Sequence, residues 1–177
     1  MSKDLKNLGT IKEDDEGKNG DHACFLYTPD MFMHDVDLLC HQLCHERFDM
    51  ILTIARGGLV LSAVLANYLD IQEIHTIQLK SYIGQSQKPP VILHEPNWAL
   101  LQGKNLLVVD DLIDHGTSML FLKELLLKHH ITTYKVAVLI DKQKNDFIRA
   151  DYAVRVLKDW IHFFWEKDYN EHVQRAK

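Results

Sequence analysis

Leu106-Leu107-Val108-Val109-Asp110-Asp111-Leu112-Ile113-Asp114-His115-Gly116-Thr117-Ser118 decides the fold of this chain. Four apolar residues run into two adjacent acids. A third acid follows, then a Gly/Thr/Ser turn, then the helical pattern Met119 to Leu127. The order is buried strand, loop, helix. Such a loop places carboxylates and free backbone N–H groups at the carboxyl edge of a sheet, where open α/β sheets bind ligands. The combination suits a molecule with both hydroxyls and a phosphate.

Working outward, the same strand-to-helix unit recurs. Asp49 to Ala55 reads as a buried strand, Arg56-Gly57-Gly58 interrupts it, and Leu59 to Leu69 reads as an apolar helix. Upstream, a helix is expected from Asp30, with Asp30 in the N-cap region and Val36, Leu39, Cys40 and Leu43 supplying apolar faces. Ile74 to Lys80 alternates as a strand. Residues 81–101 break the pattern with Gly84, Pro89 and Pro90 and read as a mobile loop around a short strand, Val91-Ile92-Leu93. Tyr134 to Ile140 is the next strand and Tyr152 to Val156 a short last one. Strands alternating with helices imply a mainly parallel central sheet flanked by helices. The end of the chain is aromatic, with Trp160, Phe163, Phe164 and Trp165 forming a small hood over about residues 157–177. Residues 1–20 are polar and read as a flexible extension, leaving 21–177 as one domain.

Composition narrows the function. The 177 residues are 46% hydrophobic with a formal net charge of −5. An acidic balance argues against a nucleic-acid partner. No stretch has the apolar length of a membrane span, and the amino terminus lacks a secretory pattern. The odd count of three cysteines argues against a disulfide framework, so a cytoplasmic protein is expected.

The loops carry the chemistry. Asp110 and Asp111 can accept hydrogen bonds from hydroxyls or sit beside Mg²⁺, which favours oxygen ligands. The plain alternative is a solvated strand end. His115-Gly116-Thr117-Ser118 precedes a helix, whose N-terminal N–H groups favour an anion; the alternative is that Thr117 or Ser118 simply caps the helix. Arg56-Gly57-Gly58 offers a guanidinium and backbone N–H groups to a second anion, or is an ordinary turn. No P-loop and no Gly-x-Gly-x-x-Gly occurs in the sequence. Cys40-His41-Gln42-Leu43-Cys44-His45 has helical i,i+4 spacing that zinc can use, but such residues more often fill a helix face.

Val108 to Ser118 resembles the phosphoribosyl-pyrophosphate motif of type I phosphoribosyltransferases. Ala55 to Val60 is similar to the pyrophosphate loop of the bacterial xanthine-guanine branch, and Lys80-Ser81-Tyr82 to the entry of its flexible catalytic loop. Asp141-Lys142 and Trp160 to Glu166 fall where that branch places its purine-binding Lys and aromatic hood. The resemblance covers about residues 50–168.

It implies an enzyme that joins a 6-oxopurine to phosphoribosyl pyrophosphate, with Mg²⁺, giving a nucleoside monophosphate and pyrophosphate. Asp110 and Asp111 would hold the ribose hydroxyls and organise the metal; His115, Gly116, Thr117 and Ser118 would hold the 5′-phosphate. Arg56, Gly57 and Gly58 would hold pyrophosphate, with a cis peptide expected at Ala55–Arg56. Asp114 would face purine N7, Lys142 the 6-oxo group, and Trp160 the ring, with Ile161 and Glu166 beside the base and Tyr82 on the closing loop. The family resemblance also implies a homo-oligomer, a dimer or tetramer. His115 stands where the family has Thr or Ser. His162 stands where the xanthine-guanine branch has an acid, so hypoxanthine and guanine are the expected bases and xanthine stays open. The alternative to the enzyme is a regulatory protein that keeps the fold and binds phosphoribosyl pyrophosphate or nucleotide without catalysis.

Overall fold

The computed structural model describes residues 10–11, 24–80, 90–144 and 147–167. In chain order its first elements are β1 (Thr10–Ile11), β2 (Cys24–Tyr27), α1 (Pro29–Leu43), β3 (Met50–Ala55), α2 (Gly58–Tyr68) and β4 (Ile74–Lys80). There follow β5 (Val91–His94), α3 (Trp98–Leu101), β6 (Leu106–Ile113), α4 (Thr117–Lys128), β7 (Tyr134–Asp141), β8 (Tyr152–Arg155) and β9 (Trp160–Phe163). They fall into two compact units, Asp35–Leu157, and Met1–His34 with Lys158–Lys177.

The larger unit holds a six-stranded sheet ordered β5-β4-β3-β6-β7-β8. Every neighbouring pair is parallel except β4 and β5. The expected mainly parallel α/β sheet is therefore present. Leu52 lies opposite Val108, and Val108 opposite Val136. With Met119, Leu122 and Leu126 of α4 this row forms the main core. The strands read as continuous apolar runs because both faces are covered: Leu107, Val109, Ala137 and Leu139 are as buried as their neighbours. α2 packs on β3 and β6 through Leu61, Leu65 and Ala66.

Three local expectations change. α1 begins one residue earlier, at Pro29, and Thr28 rather than Asp30 serves its first turn, its Oγ1 accepting from the Met31 N–H at 3.2 Å. Proline suits a first helical position because the missing N–H has no intrahelical partner there. The short strand expected at Val91 to Leu93 is present as β5, but residues 95–101, expected as part of a mobile loop, hold α3. Asn97 caps α3, its side chain accepting from Ala99 N–H at 3.2 Å. Trp98 is buried, donates to Glu95 at 2.9 Å and stacks on His129 at 4.5 Å between ring centres. Residues 81–89, Tyr82 included, lie outside the described residues.

Asp35 of α1 is fully buried and is clamped in two bonds by Arg155 of β8, Nη2 to Oδ1 at 2.8 Å and Nε to Oδ2. A buried carboxylate needs such a paired partner.

The smaller unit has its own sheet, ordered β1-β2-β9. β2 runs parallel to β9, Cys24 opposite Trp160 and Tyr27 opposite Phe163. The aromatic hood is thus built jointly with the N-terminal strand. Phe163 stacks on Trp165 at 4.5 Å, and Phe32 meets Phe164 and Trp165 edge-on, both at 5.6 Å. Within the extension expected over residues 1–20, Thr10–Ile11 instead pair antiparallel with β2. The rest of that extension lies outside the described residues.

Candidate active site at the carboxyl edge of the sheet

The chain runs from β3 through α2 to β4 on one side, and from β6 through α4 to β7 on the other. The strand order therefore reverses between β3 and β6, the place where open α/β sheets form a ligand crevice. Parallel pairing of β3 and β6 brings the turn after β3 against the acids of β6.

That meeting is tight. A Cβ on Gly57 would stand 2.5 Å from Asp111 Oδ1; one on Gly58 would stand 2.6 Å from Val109 O and 3.0 Å from Asp110 Cα. The Gly58 N–H donates to the Asp110 carboxylate. The peptide bond Ala55–Arg56 is cis, as expected from the resemblance. Arg56 is exposed in the same turn.

The acids sit differently from the sequence expectation. β6 does not end at Asp110; its pairing with β7 continues to Ile113 opposite Asp141. Both acids therefore lie within a strand, and only Asp114–Gly116 form the loop. The acids also serve local donors: Asp110 Oδ1 accepts from Asp111 N–H at 3.0 Å, and Asp111 Oδ1 from Leu112 N–H at 2.7 Å. Burial, then the charge of Asp111, push the Asp110 acid well above the usual carboxylate range.

Gly116 is the N-cap of α4, in the left-handed region at φ 78°. A residue with a Cβ enters that region at a cost. Gly116, rather than Thr117 or Ser118, stands at the N-cap of α4, and α2 also begins at a glycine without a side-chain cap. Two helix N-termini without acidic first-turn residues thus open on one sheet edge, a setting that favours anions.

Asp114 is the hub of a charged group. Its Oδ1 lies 2.6 Å from Lys144 Nζ and 3.6 Å from Lys142 Nζ, and its Oδ2 lies 3.2 Å from His115 Nδ1. Burial pushes its acid up, but the close Lys144 ammonium, with the charges of Lys142 and His115, outweighs it, so Asp114 stays below the ordinary range. Lys142 is only 4% exposed, and its N–H donates to Ile113 O at 2.9 Å, fastening it beside the acidic loop.

Two residues here escaped the sequence reading. Lys144 lay beyond a strand end with nothing in its spacing to mark it. Asp141 is marked in the sequence only as the neighbour of Lys142. It is buried, and accepts from Gln143 N–H at 2.9 Å and Ala150 N–H at 3.3 Å, folding back the segment that carries both lysines.

Arg56, Gly57, Gly58, Asp110, Asp111, Asp114, His115, Gly116, Thr117, Ser118 and Lys142 all belong to the larger unit. Trp160, Ile161 and Glu166 belong to the smaller. There Trp160 is 58% exposed at the start of β9, whereas Ile161 is buried. Glu166 accepts from Phe163 N–H at 3.2 Å and lies 3.7 Å from His162 Nδ1, so it ties the turn after β9.

Among the described residues no group of three or more His, Cys, Asp or Glu is placed to hold a metal. The Cys40/Cys44 and His41/His45 run spans the last turn of α1 and the turn that follows it: Cys44 Sγ donates to His41 O at 3.1 Å, and burial followed by Asp37 push the Cys40 thiol up.

Residues 36–172 match the phosphoribosyl transferase domain model. The chain is 32% identical over 146 residues to a xanthine-guanine phosphoribosyltransferase from Chromohalobacter salexigens, covering 82% of this chain and 85% of that one. Its fold is similar to the crystal structure of a purine phosphoribosyltransferase from Pyrococcus horikoshii, with a TM-score of 0.73, 28% identity, and 81% and 94% of the two chains covered. A Helicobacter pylori xanthine-guanine-hypoxanthine phosphoribosyltransferase gives a TM-score of 0.71 at 25% identity, covering 85% and 99%.

Proposed function

Since the chain belongs to the phosphoribosyl transferase family, we propose that it is a purine-salvage enzyme. It transfers the phosphoribosyl group of phosphoribosyl pyrophosphate to a 6-oxopurine and releases pyrophosphate. One observation carries this reading: the Arg56-Gly57-Gly58 turn and the Asp110-Asp111 pair meet at the reversal point of the sheet, beside a loop and helix N-terminus suited to a phosphate.

In the reaction the bond from ribose C1′ to the pyrophosphate oxygen breaks and a bond from C1′ to a purine ring nitrogen forms. Negative charge builds on the leaving pyrophosphate, which Arg56 and the N–H groups of Gly57 and Gly58 are suited to hold. Positive charge builds on the ribose beside Asp110 and Asp111, which also accept its hydroxyls. The backbone of His115 to Ser118 holds the 5′-phosphate. Asp114, kept ionised, accepts from purine N7–H and takes up that proton. Lys142 is suited to donate to the 6-oxo group.

The donors fit Mg²⁺: two adjacent carboxylates, one already destabilised by burial and its neighbour's charge, with substrate oxygens completing the shell in the manner usual for this ion. When bound, Mg²⁺ neutralises charge on the pyrophosphate. A homo-oligomer belongs to the same reading. α2 carries no charged residue, yet Leu59 and Tyr68 are exposed on it, the pattern of a covered face. So does a cytoplasmic site of action, in keeping with three cysteines that form no disulfide. No helix among the described residues is long and apolar enough to cross a membrane.

The test is pyrophosphate release from phosphoribosyl pyrophosphate with hypoxanthine, guanine, xanthine, adenine and uracil. Release is expected with hypoxanthine and guanine, absent with uracil, and abolished by chelator until Mg²⁺ is restored. No release with any base would favour the regulatory alternative.

His115→Thr is expected to retain transferase activity, with kcat/KM within about tenfold of the parent, since the His115 ring is 71% exposed and a shielded ion pair contributes little. Complete loss of turnover would show that the imidazole, not the loop backbone, holds the phosphate.

A further inference from the structure

We infer that Lys144 is a positioning residue for this reaction, acting through Asp114; the inference rests on the proposed phosphoribosyl transfer. One carboxylate here faces three basic groups, Lys142 and Lys144 from the segment after β7 and His115 from its own loop. The two lysines are not equivalent. Lys144 Nζ stands 2.6 Å from Oδ1 in the closer ion pair, whereas Lys142 Nζ stands at 3.6 Å. Lys142 is nearly wholly buried, Lys144 about one-third exposed.

The geometry divides two tasks that conflict when a single lysine performs both. Asp114 must stay ionised to accept from purine N7–H. Lys142 must aim its ammonium at the oxygen on the neighbouring C6. Were Lys142 the sole cation beside Asp114, their attraction in a poorly solvated site would draw them into a close pair, and the base would have to break it. Lys144 takes the near position on Oδ1 and leaves Lys142 beyond hydrogen-bond distance of the acid. The chain is bent for this: Gln143 adopts φ 52°, with its N–H on Asp141 Oδ1 at 2.9 Å, and the next residue, Lys144, reaches Asp114. Burial alone pushes Asp114 toward protonation, and Lys144 is the foremost group opposing it.

Lys144→Gln and Lys144→Arg test this. In ligand-free protein, the carboxyl titration of Asp114 is followed by carbon NMR, assigned against Asp114→Asn. The Gln variant is expected to titrate higher by about one pH unit, and Arg to restore the parental midpoint. In turnover, the acidic limb of kcat/KM for the base moves up by the same amount in Lys144→Gln. KM for the base rises about tenfold, while KM for phosphoribosyl pyrophosphate stays unchanged and shows the fold intact. An active parent with an unmoved limb and titration in Lys144→Gln overturns this inference alone. A parent that turns over no base overturns the proposed function, and with it the part given to Lys144.

Discussion

Gly58→Ala is expected to abolish pyrophosphate release and to lower folding stability by about 2–3 kcal/mol, the usual scale for forcing a group into filled space. The new Cβ would lie 2.6 Å from Val109 O, 2.6 Å from Thr53 Oγ1 and 3.0 Å from Asp110 Cα. Two of these atoms are backbone of the central strand, so no rotamer change relieves the contact. Thr53 is buried and already donates to Val109 O at 3.4 Å. The first turn of α2 must therefore move away from β6, taking the Gly58 N–H from Asp110 and the anion-binding turn from the acids. Gly57→Ala provides the contrast. The three atoms nearest its Cβ all belong to the Asp111 carboxylate, a side chain that can turn, so the fold survives while the carboxylate is displaced. Urea unfolding and pyrophosphate release separate the two. A fully active, fully stable Gly58→Ala protein would show that the turn and the strand do not need this close approach.

Asp110→Asn is expected to move activity and stability in opposite directions. Turnover falls by about 10²–10³-fold, the scale for losing one preorganised electrostatic group at a reacting centre. The thermal midpoint of the ligand-free protein rises at neutral pH. The amide keeps one acceptor oxygen, for the Asp111 N–H, and removes a half-buried charge beside Asp111. The sign follows from proton linkage. The folded chain holds this acid above its unfolded value, so the folded state binds the proton more tightly. Stability is greatest below the unfolded value, falls as pH rises toward the folded one, and stays reduced above it. The gain in Asp110→Asn is therefore expected at neutral pH and absent near pH 3. Thermal melts across that range check it; a neutral-pH midpoint below the parent's would show that the acid stabilises the fold. Such a site gives up stability for function, as sites built to hold charged ligands do.

Much of this was legible along the chain. The apolar runs behind β3, β6 and β7 stand out because strands buried on both faces need no polar alternation. Arg56-Gly57-Gly58 and Asp110 to Ser118 are visible because the turns that hold anions draw on few residue types. Harder to read were the places where distant segments meet. β2 and β9 pair although one is near each end of the chain, and neither alternates strongly enough to announce its partner. β6 runs past its acids because β7 supplies hydrogen bonds as far as Asp141; the acids themselves look like a stop. α3 is a four-residue helix, too short to show a period.

The sequence by itself determined the α/β class, the two anion-suited turns and the acids between them, because backbone propensity, burial pattern and turn chemistry are local. Only the tertiary structure decided that the two turns face one another across β3 and β6, with room for no side chain at Gly58. It also decided that Asp114 shares its charge with Lys144 as well as Lys142. Both follow from strand order and from one bend at Gln143, and electrostatic coupling depends on distances in space that residue spacing does not record.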